Sequence, residues 1–235
     1  MDWAVLWSSF LYLLRRLTVT LELAAVVLVL GIVGGVLGGT LYVWADWPVR
    51  ALLTAFVFVS RGVPLLVQVF GMFFVLPLFG LKFSGFTSAA VALSLFATAT
   101  ITEIVRGGIE AIPRGQLQAA LSLGFRHAQA MRTIVLPQAA RIILPPLVSQ
   151  FVLLVKGTSL VSLVGVAELM YSGREVIERT LLGFEVMAMI WLIYTAICYP
   201  LTALARRLEA RLQRGLRPAA VAAHEGGAAW SASKG

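Results

Sequence analysis

Few side chains in this sequence could do chemistry, and most of those stand inside or beside apolar runs. Lys156 lies within "FVLLVKGTSLVSLVG" and is followed by Gly157, Thr158 and Ser159. A cation in hydrocarbon costs about 2.5–3.5 kcal/mol unless it faces water, a ligand or a partner. Lys156, Thr158 and Ser159 are therefore candidates for holding the carboxylate of a zwitterion where a helix breaks. The competing reading is an internal strut between Lys156 and Glu103, which with Arg106 ends another apolar run. Arg61, Pro64 and Gln68 punctuate a third run, either along the same path or as a kinked, packed helix. Bond-making chemistry finds no support. There is no G-x-x-x-x-G-K-[ST], no H-E-x-x-H and no G-x-S-x-G, and His127 and His224 both fall outside the apolar runs. Cys198 is the lone cysteine, so no disulfide or cysteine metal site is expected within the chain. Any ATP would be hydrolysed on another protein, and no metal or cofactor is expected on this one.

The elements that must position these groups follow from composition. Of 235 residues, 60% are hydrophobic and 13% charged, against about 45–50% apolar and 25% charged in a soluble domain. The expected class is all-α and polytopic. A helix needs about 20 mainly apolar residues to cross the hydrocarbon core, which places five spans near 18–43, 51–79, 87–109, 142–166 and 184–204. Most of the basic residues, including Arg106, Arg114, Arg126, Arg132, Arg141 and the cluster Arg206, Arg207, Arg211, Arg214 and Arg217, collect on one side of those spans. The positive-inside rule makes that side cytoplasmic and the N-terminus external, with Arg15 and Arg16 voting the other way. Residues 1–17, with Trp3, Trp7 and Tyr12, are expected to form an external interfacial segment, 18–211 the membrane domain, and 212–235 a disordered cytoplasmic tail. The net charge of +8 is not gathered into a stripe with aromatics, so nucleic acid is not an expected partner.

The polar middle, "GQLQAALSLGFRHAQAMRTIVLPQAAR" at 115–141, is too long and too patterned for a plain connection. Its spacing predicts a short helix over 116–123, a left-handed turn at Gly124, and a second short helix over 126–135 ending before Pro137. Such a knuckle, carrying Arg126, His127, Gln129 and Arg132, is a rigid projection that a soluble protein could grip.

These residues resemble a known family. "EIVRGGIEAIPRGQLQAALSLGF" with "IVLPQAARIILPPL", then "RGVPLLVQVF" and "LLVKGTSLVSLVGVAEL", look like the linked motifs of the permease subunits of ATP-binding-cassette importers for polar amino acids. The resemblance covers about 18–211. It implies five spans with a cytoplasmic coupling helix between the third and fourth, pairing with a second permease as a homo- or heterodimer, and substrate delivered by an extracytoplasmic binding protein. It also implies two cytoplasmic ATPase subunits that carry the ATP and magnesium. Gln116, Gln118, Ala119, Ala120, Gly124, Arg126, His127, Arg132 and Pro137 would then form the ATPase-coupling segment. Arg61, Pro64, Gln68, Glu103, Lys156, Thr158 and Ser159 would line the substrate path. The sequence departs from the family at Gln118, where glutamate is usual, at Val63 for threonine, at Gly157 for an acid, and at 96–100, "FATAT" for N-S-x-A-Y. At the level of sequence a secondary transporter or channel, and a membrane-embedded enzyme, stay open as alternatives.

Overall fold

The computed structural model describes residues 3–211; residues 1, 2 and 212–235, which include His224 and the tail expected to be disordered, lie outside the described residues. Among the described residues every regular element is helical. Four helices are long and apolar enough to cross a bilayer: α1 (Trp3–Trp44), α4 (Gly85–Glu110), the run His127–Val164 and α9 (Gly183–Arg211). The bent pair α2 (Trp47–Gly62) and Leu65–Phe79, turned through 102°, meets the same test of length and composition when its two halves are taken together. Four of the expected spans are single helices and the second is this bent pair, in the expected order.

Helix α4 is the hub. Its small and branched residues Ala89, Ala92, Ala97, Ala99 and Ile101 are fully buried, with Thr102 close behind. It packs along α1, whose Gly31, Gly35 and Gly39 recur at every fourth position on the buried side. A Cβ at Gly35 would lie 2.5 Å from the Ile101 Cβ and 3.0 Å from the Thr102 backbone nitrogen. Lipid offers no hydrophobic drive for two apolar helices to meet, so backbone approach through small residues supplies the association.

Helix α1 has 42 residues, about 63 Å at 1.5 Å per residue, twice a hydrocarbon core of about 30 Å. It runs unbroken through position 17, because neither Gly nor Pro interrupts "LRRLTV" and Leu13 is buried against α8 (Leu169–Thr180).

The second span breaks where its chemistry requires. Pro64 has no N–H to donate and its ring disfavours helix at the residue before it, and Val63 is extended at φ −93°, ψ 130°. The Gln68 carboxamide donates to the carbonyls of Ser60 (2.7 Å) and Val63 (2.9 Å), tying helix α3 (Leu65–Phe70) back to α2.

Two other prolines do not break their helices. Pro77 and Pro137 each follow a π turn, Gly71–Val75 and Met131–Val135, in which the Leu76 and Leu136 N–H groups reach five residues back to Gly71 and Met131. The widened ladder sets aside one bond just where the proline has no donor. This corrects the expectation of a second short helix closed before Pro137. Helix α6 (His127–Ala130) passes through the π turn into α7 (Leu136–Gly157), so the helix that carries the fourth apolar run begins at His127, well before the run itself near 142.

Candidate functional site

The projecting turn is built from α5 (Arg114–Ser122) and the start of the fourth span. Pro113, extended at ψ 130°, precedes the first turn of α5. At the other end Gly124 sits at φ +85°. Its N–H donates to the Leu121 carbonyl at 3.0 Å and the Phe125 N–H to the Ala120 carbonyl at 3.1 Å, the bonding of a left-handed glycine cap. Ala120 is buried, and Leu117 packs on Ile109, Ile112, Met131 and Val135, so one side of α5 is fixed to the ends of the third and fourth spans. Gln116, Gln118, Ala119, Leu123, Gly124, Arg126, His127, Arg132 and Pro137 are exposed. The two alanines expected to act together thus face opposite ways. The His127 ring meets Trp44 edge-on at 5.3 Å, which ties the turn to the end of α1 as well. Sequence spacing gave no hint of that contact.

The cleft lies where the second span breaks, in a volume of about 410 Å³ lined by Arg61, Leu65, Phe96, Thr100, Gln150 and Leu153. Of the expected path residues it contains Arg61 alone. Pro64 and Gln68 shape the bend beside it. Glu103 is one helical turn beyond Thr100, where Arg106 holds both its oxygens: Nε donates to Oε2 at 2.9 Å and a terminal nitrogen to Oε1 at 2.5 Å. Arg106 also pairs with Glu110 and lies over the Tyr42 ring at 5.4 Å. The strut between Glu103 and Lys156 does not form, because Arg106, three residues away on the same helix, takes the carboxylate first.

Lys156 is exposed at the helix end, on a side within electrostatic reach of Cys198. The break expected after it is a tightening and not an interruption, since Gly157 and Thr158 both keep right-handed helical backbone. The α-helix ends at Gly157 and a 3₁₀ turn runs over Thr158–Val164 to Gly165 at φ +79°. Its hydroxyls are spent locally, Thr158 donating to the Val155 carbonyl (2.8 Å) and Ser159 to that of Lys156 (2.7 Å). Thr158 is fully buried beside Tyr194, away from the cleft.

Sequence reasoning missed two polar groups. Gln150 is 4% exposed, lines the cleft, and its carboxamide nitrogen has no partner. It was masked by the apolar run around it. Glu168 is fully buried at the head of α8. Its oxygens accept from the Met170 N–H (2.9 Å), the Tyr171 N–H (2.8 Å), the Tyr194 hydroxyl (3.2 Å) and the Thr20 hydroxyl (3.4 Å). One carboxylate thereby joins α1, α8 and α9. An acid followed by Leu169, Val176 and Ile177 at helical spacing was the available signal for both the cap and the helix.

Burial pushes the Glu168 carboxyl above the usual carboxylate range, against the pull of its donors. The folded protein holds this proton more tightly than the unfolded chain does. Its contribution to stability is full below the unfolded value and is lost as pH rises through the raised one. Glu168→Ala takes the acceptor from two backbone N–H groups and two hydroxyls, and is expected to cost about 3 kcal/mol or more. Thermal unfolding in detergent should show a drop well beyond that of Glu178→Ala, an exposed glutamate of the same helix.

The model of the family described as "Binding-protein-dependent transport system inner membrane component" matches residues 23–214. The chain is 36% identical to the "Probable glutamine ABC transporter permease protein GlnM" of Bacillus subtilis (strain 168), covering 91% of this chain and 99% of that one. It is 34% identical to the "Glutamine transport system permease protein GlnP" of Escherichia coli (strain K12), covering 90% and 98%. Among solved structures, "an amino acid ABC transporter with histidines" superposes with a TM-score of 0.84 at 31% identity, over 90% of this chain and 99% of that one.

Proposed function

Because the chain belongs to the family of binding-protein-dependent transport system inner membrane components, we propose that it is the permease subunit of an ABC importer that moves a polar amino acid across the cytoplasmic membrane. In this reading two ATPase subunits grip the α5 turn and hold the ATP and magnesium. A second permease completes the pathway, and an extracytoplasmic binding protein delivers cargo to the α8 end. The α5 end is then cytoplasmic and the N-terminus external, in line with the basic residues at Arg114, Arg126, Arg132 and Arg141.

The observation that supports this most is continuity. One helical run leads from His127 at the turn to Gln150 and Leu153 at the cleft, with no loop between. A push on α5 would move the cleft wall as a rigid body rather than dissipate in flexible chain. Purified chain reconstituted with its ATPase and binding protein should accumulate labelled amino acid only when ATP is supplied.

Lys156 is proposed as an attractor at the rim rather than a ligand in the cleft, since it is exposed and its charge is unpaired among the described residues. Lys156→Met is expected to raise the KM for uptake several-fold with kcat little changed. An unchanged KM would remove Lys156 from the path.

A further inference from the structure

Helices α7 and α9 carry arginines to one end of the molecule. Thr158 lies beside Tyr194, and Val152 and Val155 pack on Cys198 and Leu201, so the two helices run antiparallel. Arg141 stands seventeen residues before Thr158 and Arg211 seventeen after Tyr194, each about 25 Å along its helix at 1.5 Å per residue. They therefore lie at one level, with Arg206 and Arg207 on α9 just over one turn nearer the middle of the span. All four are exposed, and none makes an ion pair with a described residue. From 206 to 217 the sequence sets five arginines against one acid, Glu209. The chain leaves this end strongly positive.

The faces that carry these charges are apolar further in. Leu192, Tyr199 and Arg206 recur at every seventh position, two turns apart, and all three are exposed. One face of α9 thus passes from an aliphatic side chain to an interfacial tyrosine and then to a cation, about 10 Å beyond the tyrosine. On α7 the exposed Leu144 lies three residues inward of Arg141, on a neighbouring position of the helix surface. A ligand that meets both parts needs an anionic head and apolar tails joined at that spacing. An acidic surface of a soluble protein would match the arginines and leave Leu192, Tyr199 and Leu144 unmatched.

We infer that the α7 and α9 end is a binding surface for anionic phospholipid, with Arg141, Arg206, Arg207 and Arg211 holding phosphate groups while the acyl chains lie along Leu144, Leu192 and Tyr199. Guanidinium donors suit phosphate oxygens in pairs, and basic residues at the ends of spans attract acidic headgroups. The inference goes beyond the permease reading and does not depend on it.

The test is lipid retention by the purified complex of permease and ATPase, extracted in mild detergent from vesicles of equal parts phosphatidylglycerol and phosphatidylcholine. Wild type is expected to keep phosphatidylglycerol over phosphatidylcholine by about five-fold or more, and the excess should shrink when extraction is done at high salt. Arg206→Gln with Arg207→Gln should remove most of the excess, and lysine at both positions should restore it. Arg15→Gln with Lys82→Gln, two exposed cations on other elements, should change it little, and ATPase co-purification should stay at the wild-type level in every variant. Equal retention of the two lipids by wild type, or an excess that salt does not weaken, overturns the inference even if a variant fails to fold. So does an equal loss with the Arg15 and Lys82 pair, which would make the attraction general. Loss of the ATPase from the Arg206 and Arg207 variant, with lipid retention unchanged, would give this surface to a protein partner instead. None of these outcomes bears on the permease reading, because the vesicles carry the acidic lipid in both leaflets.

Discussion

Replacing Gly124 by valine is expected to leave the chain in the membrane and to abolish its association with an ATPase. Gly124 lies at φ +85° with nothing within 4 Å of where a Cβ would stand. The obstacle is therefore the backbone conformation itself and not a neighbour. A Cβ in the left-handed region costs about 1–2 kcal/mol, and a β-branched side chain adds to that because its rotamers are restricted as well. The chain can relieve the strain only by giving up the Phe125 N–H to Ala120 bond. That redirects Arg126 and His127 and tilts α5 off the hydrophobic cluster that holds Leu117. Co-purification with the ATPase should fall at least ten-fold and ATP-driven uptake to background, while the amount of chain in the membrane stays near wild type. Asparagine, which tolerates left-handed backbone, should retain much of both. Equal retention by valine and asparagine would show that the turn is not the contact.

Gly35→Leu is expected to have the largest effect on the fold. Its Cβ would stand 2.5 Å from the Ile101 Cβ and Cγ2 and 3.0 Å from the Thr102 backbone nitrogen. Overpacking a core costs typically 1–3 kcal/mol where side chains can shift, and here a backbone stands in the way. Helices α1 and α4 must separate, and with them the hub against which the broken second span and α7 pack. Little chain should survive purification, and what does should unfold well below wild type. Gly107→Ala on α4 is the control, since nothing lies within 4 Å of its added Cβ. It should be neutral or slightly stabilising through helix propensity. Similar behaviour of the two variants would place the close approach elsewhere.

What could be read in advance was whatever rested on a long pattern. The spans follow from apolar runs of twenty residues or more, and the turn at Gly124 from a glycine placed after a short helical stretch, both signals summed over many positions. The prolines were harder, because the penalty that ends a helix at Pro64 is avoided at Pro77 and Pro137 by a π turn one step earlier. Nothing in "FFVLP" or "TIVLP" announces which outcome applies; neighbouring helices decide it. Helix α8 is short and carries few apolar positions, and it is anchored by Glu168 reaching Thr20 and Tyr194, which are 148 and 26 residues away in sequence.

The candidate site divides in the same way. Arg61 stands at the cleft as expected, but Lys156, Thr158 and Ser159 were grouped by adjacency along the chain. A 3₁₀ turn sends them in different directions, one hydroxyl toward Tyr194 and the ammonium to the surface. Gln150 is invisible in the sequence because one amide in an apolar helix has no pattern to belong to. Its place is set by the fold, which brings it to the same cleft as Arg61 and Thr100 from two other spans.

In the proposed function, hydrolysis on another protein drives amino acid movement through this chain. Uptake of labelled L-glutamine by liposomes containing the permease, its ATPase and the binding protein, with ATP and magnesium on the ATPase side, tests it most directly. Accumulation is expected to require ATP and the ATPase and to be unaffected when proton and sodium gradients are collapsed. Accumulation by the permease alone, driven by an ion gradient, would contradict it.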